Sequence, residues 1–322
     1  LIGDSNQRIT KKSWAAVHWE QDTNKTVEGW MGICHGWSPA SFMLRRPTAS
    51  IDVMAADGKT MVHFYPSDLK ALGSYLWAKN QGKVKVIGGR CAKASPAVDG
   101  AGRIQDQDCF DTNPGTWHQA VVNQIGVKKK SFVMDVTYDA QVWNQPLQAY
   151  SYVYFNPETM TPVNTLKEAM VEIKDFKSDY FPSYRAKNAK YVVGISMALD
   201  YMVENMPKPD PIDNPSFDRI SRVNYQYDLE LDENMNILGG EWYQNAHPDF
   251  LWTPGSLRAR TMGDIYLDQN TAAPKSWDGK TPLPAEWLKW ANEASATGSP
   301  LARIVEALVE LSRAVPDPVA HP

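Results

Sequence analysis

The chain has 322 residues, 43% of them apolar and 22% charged, with a formal net charge of −4. It is long enough to bury a large core, as one large domain or two ordinary ones, and its slight acidity argues against nucleic acid or an anionic membrane surface as the dominant partner. No stretch approaches the roughly 18 consecutive apolar residues of a membrane span, and the only compositional excess is in tryptophan, of which there are 12.

Residues 1–12 are polar and show no secretory leader; because the first residue is Leu1 rather than Met, a leader or propeptide is expected to have been removed. In "GWMGICHGWSPASFM", residues 29–43, Ser38 and Pro39 predict the start of a helix running towards Arg46 and stopped by Pro47. Asp57 and Gly58, between two β-prone runs, predict a hairpin, and Ser67 is the expected cap of a helix over about 68–80 with Leu69, Leu72 and Leu76 on one stripe. Cys91 and Cys109 then bracket a loop rich in Gly and Asp. A disulfide closing such a loop would add about 3 kcal/mol and would imply an oxidising, extracellular setting; three buried reduced thiols in a cytosolic protein is the alternative. With that bridge formed, Cys34 is the odd thiol.

From residue 149 onward the runs "AYSYVYF", "KYVVGISMALDYMVE", "NYQYDLELD" and "NILGGEWYQ" predict antiparallel strands, with "DENMN" as a hairpin turn between the last two and a helix near 164–173 interrupting the first pair. After the linker "TAAPKSWDGKTPLP" two helices are expected, the second with Leu301, Ile304, Val305, Leu308 and Leu311 on one stripe. The predicted fold class is α+β, helices around an antiparallel β-sheet, with a catalytic domain over 1–270 and a linker plus C-terminal helical appendage over 271–322.

A thiol becomes a nucleophile when a base accepts its proton, and a helix start favours the resulting anion. Of six histidines, His35 adjoins Cys34 but on one helix would point about 100° away. His118 has the better context. If the chain turns between 126 and 127, His118 and Asp135 stand directly opposite each other, with Cβ atoms about 4.5–5.5 Å apart. Trp117, Val121, Phe132, Met134 and Val136 then take the core face. The rival is a helix with Asn113 as cap, Pro114 in its first turn and Gly126 past its end. Asp139 is a reserve orienting carboxylate, and His247 with Asp249 either serves as a second pair or fixes a corner beside Pro248.

"VMDVTYDAQVWNQP", running into "LQAYSYVYF", resembles the transglutaminase elicitor family, the secreted transglutaminases of oomycete cell walls and their bacterial relatives. Residues 142–146 match the family's Val-Trp-Asn-Gln-Pro core, whereas Leu147, Gln148 and Ala149 depart from the family's pattern C-terminal to that core. "ICHGWSPAS" is similar to its nucleophile segment, "NPGTWHQAVVNQIG" to its histidine segment, and "GGEWYQNAHPDFLW" to a further stretch, so that the likeness runs from about Trp14 to Leu267. The resemblance implies a papain- or transglutaminase-like active site, a larger zymogen precursor, and calcium-dependent acyl transfer between protein glutamine and lysine side chains.

On that reading Cys34 attacks the glutamine carboxamide, His118 moves the protons and Asp135 orients His118. Trp30, Trp37 or Trp143 would line the substrate or donate to the oxyanion. The calcium the family implies would fall to Asp99, Asp106, Asp108 and Asp111, or to the turn with Asp232, Glu233, Asn234 and Asn236. The same three functional groups would also serve a cysteine protease or amidase, and a chain that keeps the fold without the chemistry would be a surface or adhesion protein.

Overall fold

The protein is represented by a computed structural model that describes residues 32–109, 112–137, 140–244 and 247–315. It divides into Leu1–Gly32, of which only Gly32 is described, and Ile33–Pro322, which carries the described helices and strands.

Helix α1 (Cys34–Met43) starts at the cysteine itself, earlier than Ser38 and Pro39 suggested, because the Ile33 carbonyl accepts from the N–H groups of Gly36 and Trp37 and closes a first turn there. Pro39 is accommodated inside the helix. The hairpin of β1 (Ile51–Met54) and β2 (Met61–Phe64) forms as expected, pairing Met54 with Met61. Its turn is held by Asp57, whose Oδ1 accepts from the N–H groups of Lys59 and Thr60, and by Gly58 at a φ of +67°. In α2 (Pro66–Ala78) the first turn is closed by Asp68, which accepts from the Tyr65 N–H, rather than by Ser67, and Leu69 and Leu76 are buried. Next come β3 (Val84–Gly88) and the loop tied by the Cys91–Cys109 disulfide, both sulfur-bearing residues being fully buried.

The hairpin expected around residues 126 and 127 does not form. Residues Pro114–Val121 are helix α3, continued by a wide π-type turn over Val122–Val127. The Asn113 side chain accepts from the Gly115 N–H at 2.9 Å and Pro114 takes the first position, two local start signals that outweigh the strand reading. Trp117 and Val121 are buried under both readings, because a spacing of four returns a side chain to the same face of a helix and of a strand alike.

The remaining strands are β4 (Val133–Asp135), β5 (Asn144–Asn156), β6 (Thr161–Val163), β7 (Met170–Glu172), β8 (Tyr191–Val203), β9 (Arg219–Leu231), β10 (Ile237–Gly239) and β11 (Phe250–Pro254), with the one-turn helix α4 (Leu166–Ala169) before β7. They form an antiparallel sheet in the order β10, β9, β8, β5, β4, β11, β3, with β6 also on β5 and β7 also on β8. Helix α3 packs on the sheet through Trp117, which meets Tyr225, Tyr227 and Trp242 edge-on at 5.3–5.5 Å. Gly194 at the centre of the sheet leaves room for Phe155, since a Cβ there would lie 2.4 Å from the ring and 2.6 Å from the Phe155 carbonyl oxygen.

A second layer holds α5 (Met262–Gln269), α6 (Ala285–Ala296) and α7 (Ala302–Ala314). Helix α7 is built into the core: Ala302 and Val305 pack with Ala40 of α1 and with Leu76 and Trp77 of α2, and Leu308 and Val309 with Ile51, Val53 and Leu69. Buried Asp264 accepts from the N–H groups of Ala302 and Arg303, capping α7 from α5. Residues 271–315 are therefore packed against the elements that begin at Cys34, and are not an appendage beside them.

Arg185 is almost wholly enclosed and donates to Asp179, Asp228 and Glu230 at 2.8–3.2 Å. Burial opposes its charge, but its hydrogen bonds to Asp228 and Asp179 prevail and hold the guanidinium above its ordinary range. Removing one partner of such a buried set leaves uncompensated charge and typically costs about 3–5 kcal/mol. Arg185→Met is therefore expected to lower unfolding stability by about that much, measured by urea denaturation at pH 7.5, with partial recovery when Asp228→Asn is added.

Candidate active site

Cys34 is half-buried at the first position of α1, where backbone N–H groups have no acceptor within the helix. Its Sγ lies 3.6 Å from the Val142 carbonyl oxygen, to which the thiol donates, and 3.3 Å from Asn144 Nδ2, which donates to the sulfur. The Asn144 Oδ1 in turn accepts from the indole N–H of Trp252 at 2.7 Å. One turn beyond the cysteine, Ser38 Oγ donates to the Asn144 backbone carbonyl. The first turns of α1, the start of β5 and the middle of β11 thus meet at the sulfur.

Asp135 lies in the next strand, directly opposite Asn144. It is fully buried, and its Oδ1 accepts from the N–H groups of Trp143 and Thr137 and from the Thr137 hydroxyl. Its Oδ2 has no hydrogen-bond partner among the described residues. Burial pushes the carboxyl up to about 6, against the lowering effect of the Trp143 N–H.

His118 is elsewhere. Its Nδ1 is 2.7 Å from the Tyr227 hydroxyl and its ring meets Tyr152 edge-on at 5.4 Å, in the neighbourhood of the Trp117 cluster. Strand alternation places Asp135 and Asn144 on the face away from Met134 and Leu251, which belong to that cluster. The expected opposition of His118 and Asp135 is therefore replaced by that of Asn144 and Asp135, and His118 makes no hydrogen bond to Cys34. Burial lowers its pKa to about 4, so the imidazole is neutral at pH 7. His247, likewise lowered to about 4 by burial, stacks on Trp242 at 5.2 Å.

The indoles proposed for substrate contact are engaged: Trp37 Nε1 donates to Glu204 and Trp143 Nε1 to Gln141. Trp30, Asp111 and Asp139, and the side chain of Asp108, lie outside the described residues. The described aspartates among the expected calcium ligands take part in turns and polar contacts. Asp99 accepts from the N–H groups of Ala101 and Arg103 and from the Tyr184 hydroxyl, and Asp106 from Lys93 and the Ala97 N–H. Asp232 holds the turn through Asn234 and Asn236. Among the described residues no group of three or more His, Cys, Asp or Glu side chains gathers as a metal site, and no helix is long and apolar enough to cross a membrane. Reading the sequence singled out neither Asn144 nor Trp252, although both stand in the runs that carry the family resemblance.

The sequence pattern of the transglutaminase elicitor family matches residues 4–265. The chain belongs to that family. Its structure is similar to the crystal structure of the GP42 transglutaminase from Phytophthora sojae, with a TM-score of 0.51 and 27% identity over 75% of this chain. This transglutaminase elicitor family member spans 61% of the length of that structure. No curated protein sequence matches it.

The perturbed carboxyl at Asp135 gives a pH signature. Its folded-state pKa lies above the unfolded value, so its contribution to stability is present below about pH 4 and is lost as pH rises through about 6. Relative to Asp135→Asn, the wild type should lose about 2–3 kcal/mol of unfolding free energy between pH 4 and pH 7.5, read from urea denaturation of both proteins across that range.

Proposed function

We propose that this chain is a protein-glutamine γ-glutamyltransferase that joins glutamine and lysine side chains through a thioester on Cys34. What carries the reading is the one cysteine outside the disulfide, placed at a helix start and touched by an oriented carboxamide, in a chain of the transglutaminase elicitor family.

The Cys34 sulfur attacks the γ-carboxamide carbon of a protein glutamine, forming an S–C bond; the C–N bond breaks and ammonia departs with the thiol proton. A lysine amine then attacks the thioester, the C–S bond breaks, and a proton from the amine returns to the sulfur as the isopeptide forms. Asp135 is a buried carboxyl beside this site, opposite the residue that contacts the sulfur and ionising near pH 6, which supports a proton-handling role. The disulfide supports an extracellular place of action.

Incubation with a glutamine-containing protein and a fluorescent alkylamine, calcium present, is expected to give amine-labelled product, and Cys34→Ala to reduce labelling by at least about 1,000-fold. Labelling that survives in Cys34→Ala overturns the reading, and cleaved substrate without label assigns the same site to hydrolysis.

A further inference from the structure

Asn144 is buried, with 4% of its surface exposed, and its side-chain amide lies between the Trp252 indole and the Cys34 sulfur. An indole N–H can only donate, so the side-chain atom facing Trp252 is the amide oxygen and the NH2 group faces the sulfur. The hydrogen bond from Ser38 to the Asn144 carbonyl fixes the backbone, and Ser38 is four residues after Cys34 on the same helix. One rigid element thus sets both the sulfur and the donor beside it.

We propose that the Asn144 carboxamide N–H is the oxyanion donor of the Cys34 acylation step, and that Trp252 is the positioning residue that aims it. The inference rests on Cys34 being the acylated nucleophile. When the sulfur bonds a carbonyl carbon, the C=O π electrons move to oxygen; collapse restores the double bond and expels the leaving group. That oxygen is bound to the carbon that joins the sulfur, within reach of an NH2 group that already touches Sγ and has a second hydrogen to give. The Cys34 backbone N–H, at the helix start, supplies the other side. Trp37 and Trp143 cannot take the role in this arrangement because their indole N–H groups are already donated to Glu204 and Gln141.

Two reactions at the same sulfur separate this role from a structural one. Acylation by p-nitrophenyl acetate passes through an oxyanion; alkylation by iodoacetamide, a displacement at saturated carbon, does not. Both rates are read on the intact protein by mass spectrometry. Asn144→Ala is expected to slow acylation of Cys34 by about 100-fold while alkylation stays within about 3-fold. Trp252→Phe should slow acylation about 10-fold, and the double variant should be no slower than Asn144→Ala alone. Equal losses in both reactions, or undiminished acylation in the variants, overturn the inference. Should Asn144→Ala fail to fold by circular dichroism, the split between the two rates in Trp252→Phe decides. A wild type that is acylated by the ester but joins no amine to glutamine overturns the transferase reading and leaves this comparison standing; a wild type whose Cys34 is not acylated overturns the inference as well.

Discussion

The hydrogen-bond chain from the Trp252 indole through the Asn144 carboxamide to the Cys34 sulfur is the constraint on which the site depends. Each bond is worth about 1 kcal/mol net, so the chain does not hold the fold together; the fold holds the chain. Trp252 reaches Asn144 only because β11 pairs with β4 on one side and β3 on the other, and β4 pairs with the start of β5. Cys34 reaches it only because α1 lies against β5 through Ser38. Segments more than 100 residues apart in sequence meet at one sulfur atom.

Two buried polar groups in this protein are satisfied to very different degrees. Around Arg185 three carboxylates are paired with one guanidinium, and the network joins β9 to the segment carrying Asp179. At Asp135 one oxygen accepts three hydrogen bonds and the other none among the described residues. Buried groups are nearly always satisfied, and exceptions concentrate where chemistry is done. The exception at Asp135 adjoins the residue that contacts the free cysteine.

Much of the scaffold was legible in the sequence because its signals are local. Asp57 and Gly58 specify the turn of the first hairpin, the Leu69, Leu72 and Leu76 stripe specifies α2, and the aromatic and β-branched runs specify β5, β8 and β9. The spacing of Cys91 and Cys109 around a turn-rich loop pointed to the bridge that is present. The segment after Asn113 was ambiguous, since Trp117 and Val121 obey both periods, and the choice fell to the Asn-Pro helix start. The donor at the sulfur was out of reach: an asparagine carries no pattern that shows what its amide will meet, and its partner indole lies 108 residues away. The helix start at Cys34 was similarly hidden, because Ile33 caps it by backbone alone.

Helix α7 gives the molecule an order of events during synthesis. The layer that seats α1 is finished by Ala302 and Val305, which emerge from the ribosome more than 250 residues after Cys34. Until they arrive, Ala40, Leu76 and Trp77 lack two of the apolar partners that bury them, and such distant closure is slow compared with local helix formation. The helix that carries Cys34 thus lacks this part of its floor through most of elongation, and a nascent chain arrested before residue 302 would carry the thiol without the finished layer that seats it.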